Sequence, residues 1–162
     1  MTTTPSWFDG FATQRITTSG AEIFVRTGGT VGAPPLLLLH GFPQTHALWH
    51  RVVQQLARDY CLVLPDLRGY GDSSHAPGLP DHSNYSKRAL AQDMAEVMTT
   101  LGHDTFYLCG HDRGGRVAHR LALDAALDSV MDRCVKIEHA RLFGGLHWAG
   151  VNTRVISAKR AQ

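Results

Sequence analysis

No apolar run in this 162-residue chain approaches the roughly 20 residues that a helix needs to span a bilayer, so a membrane-embedded protein is not expected. An excess of one charge sign is also missing. Sixteen Lys and Arg stand against 14 Asp and Glu, with the basic residues scattered, which leaves no surface suited to nucleic acid or to an anionic membrane. Only three cysteines occur, Cys61, Cys109 and Cys134. An odd number, with two of them inside apolar strand-like runs, points to buried free thiols in a reducing compartment. The first residues carry neither a basic segment nor an apolar one, so no signal peptide is read and a cytoplasmic location is expected. Among the ten histidines there is no H-E-x-x-H, and the cysteines form no C-x-x-C, so no metal and no cofactor is expected. Internal repeats and low-complexity linkers are absent as well.

What remains is a composition of 43% hydrophobic and 19% charged residues, enough to bury the core of roughly one domain. Two antiparallel strands, residues 12–18 and 22–27, are predicted around the Ser19-Gly20-Ala21 turn. Leu36-Leu-Leu-Leu-His40 is an unbroken apolar run of the kind covered on both faces, and predicts a central parallel strand. From about Ala47 to Tyr60, Leu48, Val52, Val53 and Leu56 recur at helical spacing. Cys61-Leu-Val-Leu-Pro65 reads as a second buried strand. A helix from about Ser86 to Leu101 follows, with Leu90, Met94, Val97, Met98 and Leu101 on one face. Strand and helix therefore alternate, which implies a parallel sheet with helices on both sides.

A third apolar run, Thr105-Phe-Tyr-Leu-Cys109, leads into Gly110-His-Asp-Arg-Gly-Gly-Arg116, and a helical pattern starts at Val117. Strand, tight turn and helix in this order match the G-x-S-x-G elbow with aspartate in place of serine. The glycines permit the close backbone approach, and Asp112 is pushed out at the carboxyl end of a strand. Read plainly, the same residues are an ordinary turn with Asp112 capping the next helix. Two further glycine-rich turns, His40-Gly41-Phe42 and Arg68-Gly69-Tyr70-Gly71, fall at the same end of the sheet, where ligands bind in open α/β folds.

With His40-Gly-Phe-Pro-Gln44, Asp66-Leu-Arg-Gly-Tyr-Gly-Asp-Ser73, His82-Ser-Asn-Tyr-Ser-Lys-Arg88, Gly110–Arg116 and Val117-Ala-His-Arg-Leu-Ala-Leu-Asp124, the chain resembles the α/β-hydrolase superfamily. Within it, the resemblance is to the fluoroacetate (haloacetate) dehalogenases. It implies that Asp112 is a nucleophile that displaces halide from the α-carbon of a 2-haloacid and leaves an aspartyl ester. Arg113 and Arg116 would clamp the substrate carboxylate, a role that two guanidinium groups beside an exposed aspartate also suit physically. Their other reading is that they lower the pKa of Asp112, or pair with Asp124 and Glu138. The backbone N–H groups of Phe42 and Arg113 would form the oxyanion hole. The resemblance also implies that His40 braces its loop and is not the base.

The resemblance covers residues 1–124 as the N-terminal part of an α/β-hydrolase core, about half of a typical member. Residues 125–162 read as a divergent tail with room for one further strand. The fold expected is an incomplete α/β-hydrolase fold, with the cap and C-terminal strands missing. Lys136 and Ile137 stand where the family's acid is due, and Glu138 is a nearby substitute or a surface residue. His147-Trp148 is similar to a halide-binding His-Trp pair of the family's cap, but at too short a spacing. Unless a strand over Val130–Ile137 pairs beside the elbow strand, an apolar sheet edge stays open and invites self-association. Three functions stand open: a haloacid dehalogenase acting on a small-molecule substrate, inactive or limited to a single turnover by truncation; an epoxide hydrolase; and a non-catalytic remnant.

Overall fold

Alternate residues along a strand point to opposite faces of a sheet, and in the Pro35–Leu39 strand both sets are leucine. In the computed structural model, which describes residues 7–127, 133–139 and 154–160, Leu37 and Leu39 enter one core while Leu36 and Leu38 enter another. The sheet is thus a middle layer with helices on both sides. Its elements run β1 (Ala12–Thr17), β2 (Glu22–Gly29), β3 (Pro35–Leu39), α1 (Val53–Leu56), β4 (Cys61–Pro65), α2 (Lys87–Thr100), β5 (Phe106–Gly110), α3 (Arg113–Leu127), β6 (Arg133–His139) and β7 (Arg154–Arg160).

On one face, Met94, Val97 and Met98 of α2 and Val117, Ala118 and Leu121 of α3 pack with Leu37, Leu39, Val63 and Leu108. On the other, Trp49, Val53 and Leu56 cover Leu36, Leu38, Leu62 and Leu64. The helix expected over 47–60 is instead a 3₁₀ turn, His46–Arg51, followed by the single turn of α1. Adjacent β-branched residues, Val52 and Val53, disfavour a longer α-helix. The apolar spacing still buries Trp49, Val53 and Leu56 together. No helix among the described residues is long and apolar enough to cross a membrane.

The strand order is β1-β2-β4-β3-β5-β7-β6. Only β4, β3 and β5 are mutually parallel; β1, β2, β6 and β7 join antiparallel, so a parallel centre sits within a mixed sheet. The short turn after β1 enforces its antiparallel return, with Thr18 N–H donating to Ala21 O at 2.8 Å.

The far side of the elbow strand departs from expectation. A strand does form over Arg133–His139, but it pairs with β7. It is β7, a second strand in residues 125–162 where room for only one was expected, that lies antiparallel to β5, from Phe106↔Ala158 to Gly110↔Arg154. The buried backbone groups of β5 are thereby paired, and the edge expected to stay open there is closed.

Behind the sheet ends, Arg68 and Asp93 form a buried bidentate ion pair, Nε to Oδ2 at 2.8 Å and Nη2 to Oδ1 at 2.7 Å. Thr18 Oγ1 donates to the same carboxylate at 2.6 Å, and Arg68 Nη1 donates to Asn84 O at 2.6 Å. This network ties the loop after β4 to α2. Asp93→Asn is expected to lower stability by about 2 kcal/mol, because Arg68 is left buried without its counter-charge. Urea denaturation measures it, with Arg15→Ala at the exposed Arg15–Glu22 pair expected to change stability by less than about 1 kcal/mol.

Candidate active site

The start of α3 lies directly against the end of β3, and glycine is what allows it. A Cβ on Gly110 would stand 2.5 Å from the Gly114 carbonyl carbon and 2.6 Å from Gly115 N. One on Gly114 would fall on the carbonyl oxygens of Leu39 and His40. The helix begins at Arg113, a full turn before the apolar pattern that starts at Val117. Its first turn is made of arginines and glycines, which carry no periodic signal. Asp112, just ahead of it, has φ 47°, a left-handed conformation that costs a non-glycine residue about 1–3 kcal/mol. The effect is to hold its carboxylate out at the strand end.

Asp112 does not act as an ordinary helix cap. Phe42 N–H, from the loop after β3, donates to Asp112 Oδ2 at 3.0 Å. The loop approaches this closely because residue 41 is glycine: a Cβ there would be 2.8 Å from Asp112 Cβ and 2.7 Å from His111 Nδ1. The Phe42–Pro43 peptide bond beside it is cis. The Phe42 N–H holds the Asp112 carboxyl below the usual carboxylate range, outweighing desolvation, with the Arg113 amide, His111 and Arg116 acting in the same direction.

Three cations share this corner. The Arg113 guanidinium lies over the Phe42 ring, 5.2 Å from its centroid. Arg113 and Arg116 are both exposed, and Asp124, a candidate partner for them, is engaged instead by Arg120 and, at 3.8 Å, by Arg88. The third is Lys87, the first residue of α2. Its pKa is lowered by desolvation and by the charges of Arg113 and Arg116, with Asp112 opposing. Lys87 lies within the His82–Arg88 segment, whose own residues give it no functional signature. Its one local signal is the Ser86 cap, whose hydroxyl accepts from Ala89 N–H at 3.2 Å and fixes where α2 starts.

His40 is buried and structural, as expected. Its Nε2 accepts from Leu67 N–H at 2.9 Å, so the ring hydrogen sits on Nδ1 and donates to Gly41 O, also at 2.9 Å. Burial lowers its pKa and favours this neutral form. Asp66 holds the same loops together, accepting from His46 N–H at 2.6 Å, from His46 Nδ1 at 2.9 Å and from Asp72 N–H at 3.0 Å. Asp112, Phe42, Arg113 and Arg116 are therefore brought to one place. Glu138 is not on the neighbouring strand: it lies on β6, opposite Val155 and separated from β5 by β7. His147 and Trp148 fall outside the described residues.

Residues 34–150 match the family described as alpha/beta hydrolase fold. The chain is 51% identical over 128 residues to a fluoroacetate dehalogenase from Burkholderia sp, covering 79% of this chain and 41% of that protein. It is 41% identical over 90 residues to a soluble epoxide hydrolase from Corynebacterium sp. (strain C12), covering 56% of this chain and 30% of that one. A solved structure from Nostoc sp PCC 7120, assigned provisionally to the α/β hydrolases, superposes with a TM-score of 0.70 at 53% identity over 72% of this chain and 40% of its own. The chain spans about two fifths, or less, of the length of these relatives.

Proposed function

This chain belongs to the α/β-hydrolase fold family, and we propose that within it the elbow attacks the carbon–halogen bond of short 2-haloacids through an aspartyl ester. The observation that carries this reading is an ionised, exposed Asp112 held by the Phe42 amide and flanked by Arg113 and Arg116. Two guanidinium groups bind the substrate carboxylate and turn its α-carbon toward Asp112. The Phe42 N–H occupies Oδ2, which leaves Oδ1 to form the new bond to carbon. The carbon–halogen pair departs with the halide, and Oδ2 becomes the ester carbonyl. Hydrolysis then needs a base to take a proton from water. Hydroxide adding at the acyl carbon places negative charge on the same oxygen, where the Phe42 and Arg113 amides stabilise it. The acyl C–O bond then breaks, the 2-hydroxyacid leaves with the proton and the Asp112 carboxylate is restored. Free Cys61 and Cys109, the latter pushed up to about 12 by burial, fit a reducing compartment such as the cytoplasm.

Incubation with fluoroacetate or chloroacetate, with halide counted and the Asp112 peptide weighed, tests the reading. One halide per chain with a lasting ester supports the first half-reaction alone; continuous release means that the chain also activates water. An epoxide hydrolase is the second reading, supported by the similarity to the Corynebacterium enzyme. It is favoured if an epoxide, and no haloacid, labels Asp112.

Arg113→Ala and Arg116→Ala are each expected to raise the haloacetate concentration for half-maximal labelling about tenfold or more, the loss of one charge-assisted contact. An uncharged epoxide would be insensitive to both. The lowered pKa of Asp112 also sets a pH dependence. The nucleophile is the ionised form, so lowering the pKa extends reactivity to more acid solution. The labelling rate is expected to stay flat as pH falls through the ordinary aspartate value of about 3.9 and to drop only below it. A pH–rate profile with its midpoint at or above that value would contradict the assignment.

A further inference from the structure

We propose that the side chain of Phe42, as distinct from its backbone, seats the Arg113 guanidinium and so sets the preference for charged over neutral substrates. The proposal rests on the haloacid reading of the site. Phe42 is 58% exposed, so its ring adds little to the core. Arg113 has no side-chain hydrogen bond or ion pair among the described residues, yet its guanidinium lies 5.2 Å from the Phe42 centroid, within cation–π range. That contact uses no N–H donor, so all five stay available to an incoming carboxylate.

The ring is itself held. Its edge meets Tyr70 at 6.5 Å and 82°, and Tyr70 meets the buried His40 ring at 5.2 Å and 67°. His40 is fixed by its bonds to Gly41 O and Leu67 N–H. An aromatic ladder thus runs from the sheet ends out to Arg113. Such a seat is needed because Lys87 and Arg116 bear the same charge in the same corner, and repulsion would drive an unanchored guanidinium into solvent. Phe42 is a positioning residue in this scheme, acting through Arg113.

The experiment measures Asp112 labelling by chloroacetate and by chloroacetamide, which share carbon and leaving group but differ in charge. Phe42→Leu keeps the backbone amide and removes the π face. The acid-to-amide rate ratio is expected to fall about three- to tenfold in Phe42→Leu and to stay within about twofold of the parent in Phe42→Trp. In an Arg113→Ala background, Phe42→Leu is expected to cause no further fall. An unchanged ratio in Phe42→Leu, an equal fall in Phe42→Trp, or the same fall without Arg113 overturns the proposal.

The contact is also read without chemistry, from the Arg113 Nε–H resonance, which ring-current shielding displaces in the parent and Phe42→Leu should release. Acetate titration followed on that resonance should weaken by the same three- to tenfold factor. If neither chloro compound labels Asp112, the haloacid reading fails while these two measurements still decide the seat. An unmoved resonance or an unchanged acetate affinity overturns it.

Discussion

Asp112→Asn is expected to reduce labelling by haloacids at least about 10³-fold, because an amide oxygen lacks the charge and basicity needed to displace halide from carbon. Asparagine is the informative replacement. It tolerates the left-handed φ of 47° at this position, and its Oδ1 can still accept the Phe42 N–H, so the elbow keeps its shape. Alanine would lose both features and confound chemistry with folding. Intact-mass measurement after exposure to chloroacetate, with a thermal melt beside it, separates the two effects. Labelling of the variant at the parent rate, or at another carboxylate, would remove Asp112 from the mechanism. The same variant should also be unreactive toward epoxides, so it tests the nucleophile without choosing between substrates.

Gly114→Ala is the substitution expected to damage stability most. Its Cβ would fall on the Leu39 and His40 carbonyl oxygens, which are backbone atoms at the end of the central strand and have no rotamer to retreat into. α3 would have to lift away from β3, opening the core between Val117, Ala118 and Leu39. A loss of roughly 4 kcal/mol is expected, which in a chain of this size lowers the melting temperature by roughly 8–16 °C. Gly78→Ala is the control. Its nearest neighbour would be His82 Nδ1 at an ordinary 3.6 Å, and its effect should stay within about 0.5 kcal/mol. A melt of Gly114→Ala close to the parent would mean that the elbow is looser than its packing implies.

These glycines mark how far the residues can be read without coordinates. Gly110 and Gly114 were legible because a turn between a strand and a helix imposes a local steric demand. Cys61–Pro65 emerged as a strand with its observed bounds because five apolar residues between polar ones leave little choice of period. His40 was legible as a brace only through the family resemblance of its His-Gly turn. The start of α3 was not, since a first turn of Arg-Gly-Gly-Arg has no apolar stripe. The 3₁₀ turn at His46–Arg51 escaped for the opposite reason: its apolar spacing also fits an α-helix.

Local order along the chain thus dictates the alternation of strands and helices, the two-faced leucine strand and the delivery of Asp112 to the strand ends. Each follows from contacts among residues close in sequence, where period and turn chemistry act directly. Packing alone supplies the rest. It decides that β7 lies beside β5, with β6 and Glu138 beyond it. It also brings Lys87 into the field of the two arginines and lays Arg113 on the Phe42 ring. Those relations join residues far apart in the chain, and strand pairing or a cation over a ring leaves no periodic trace in either partner's own segment.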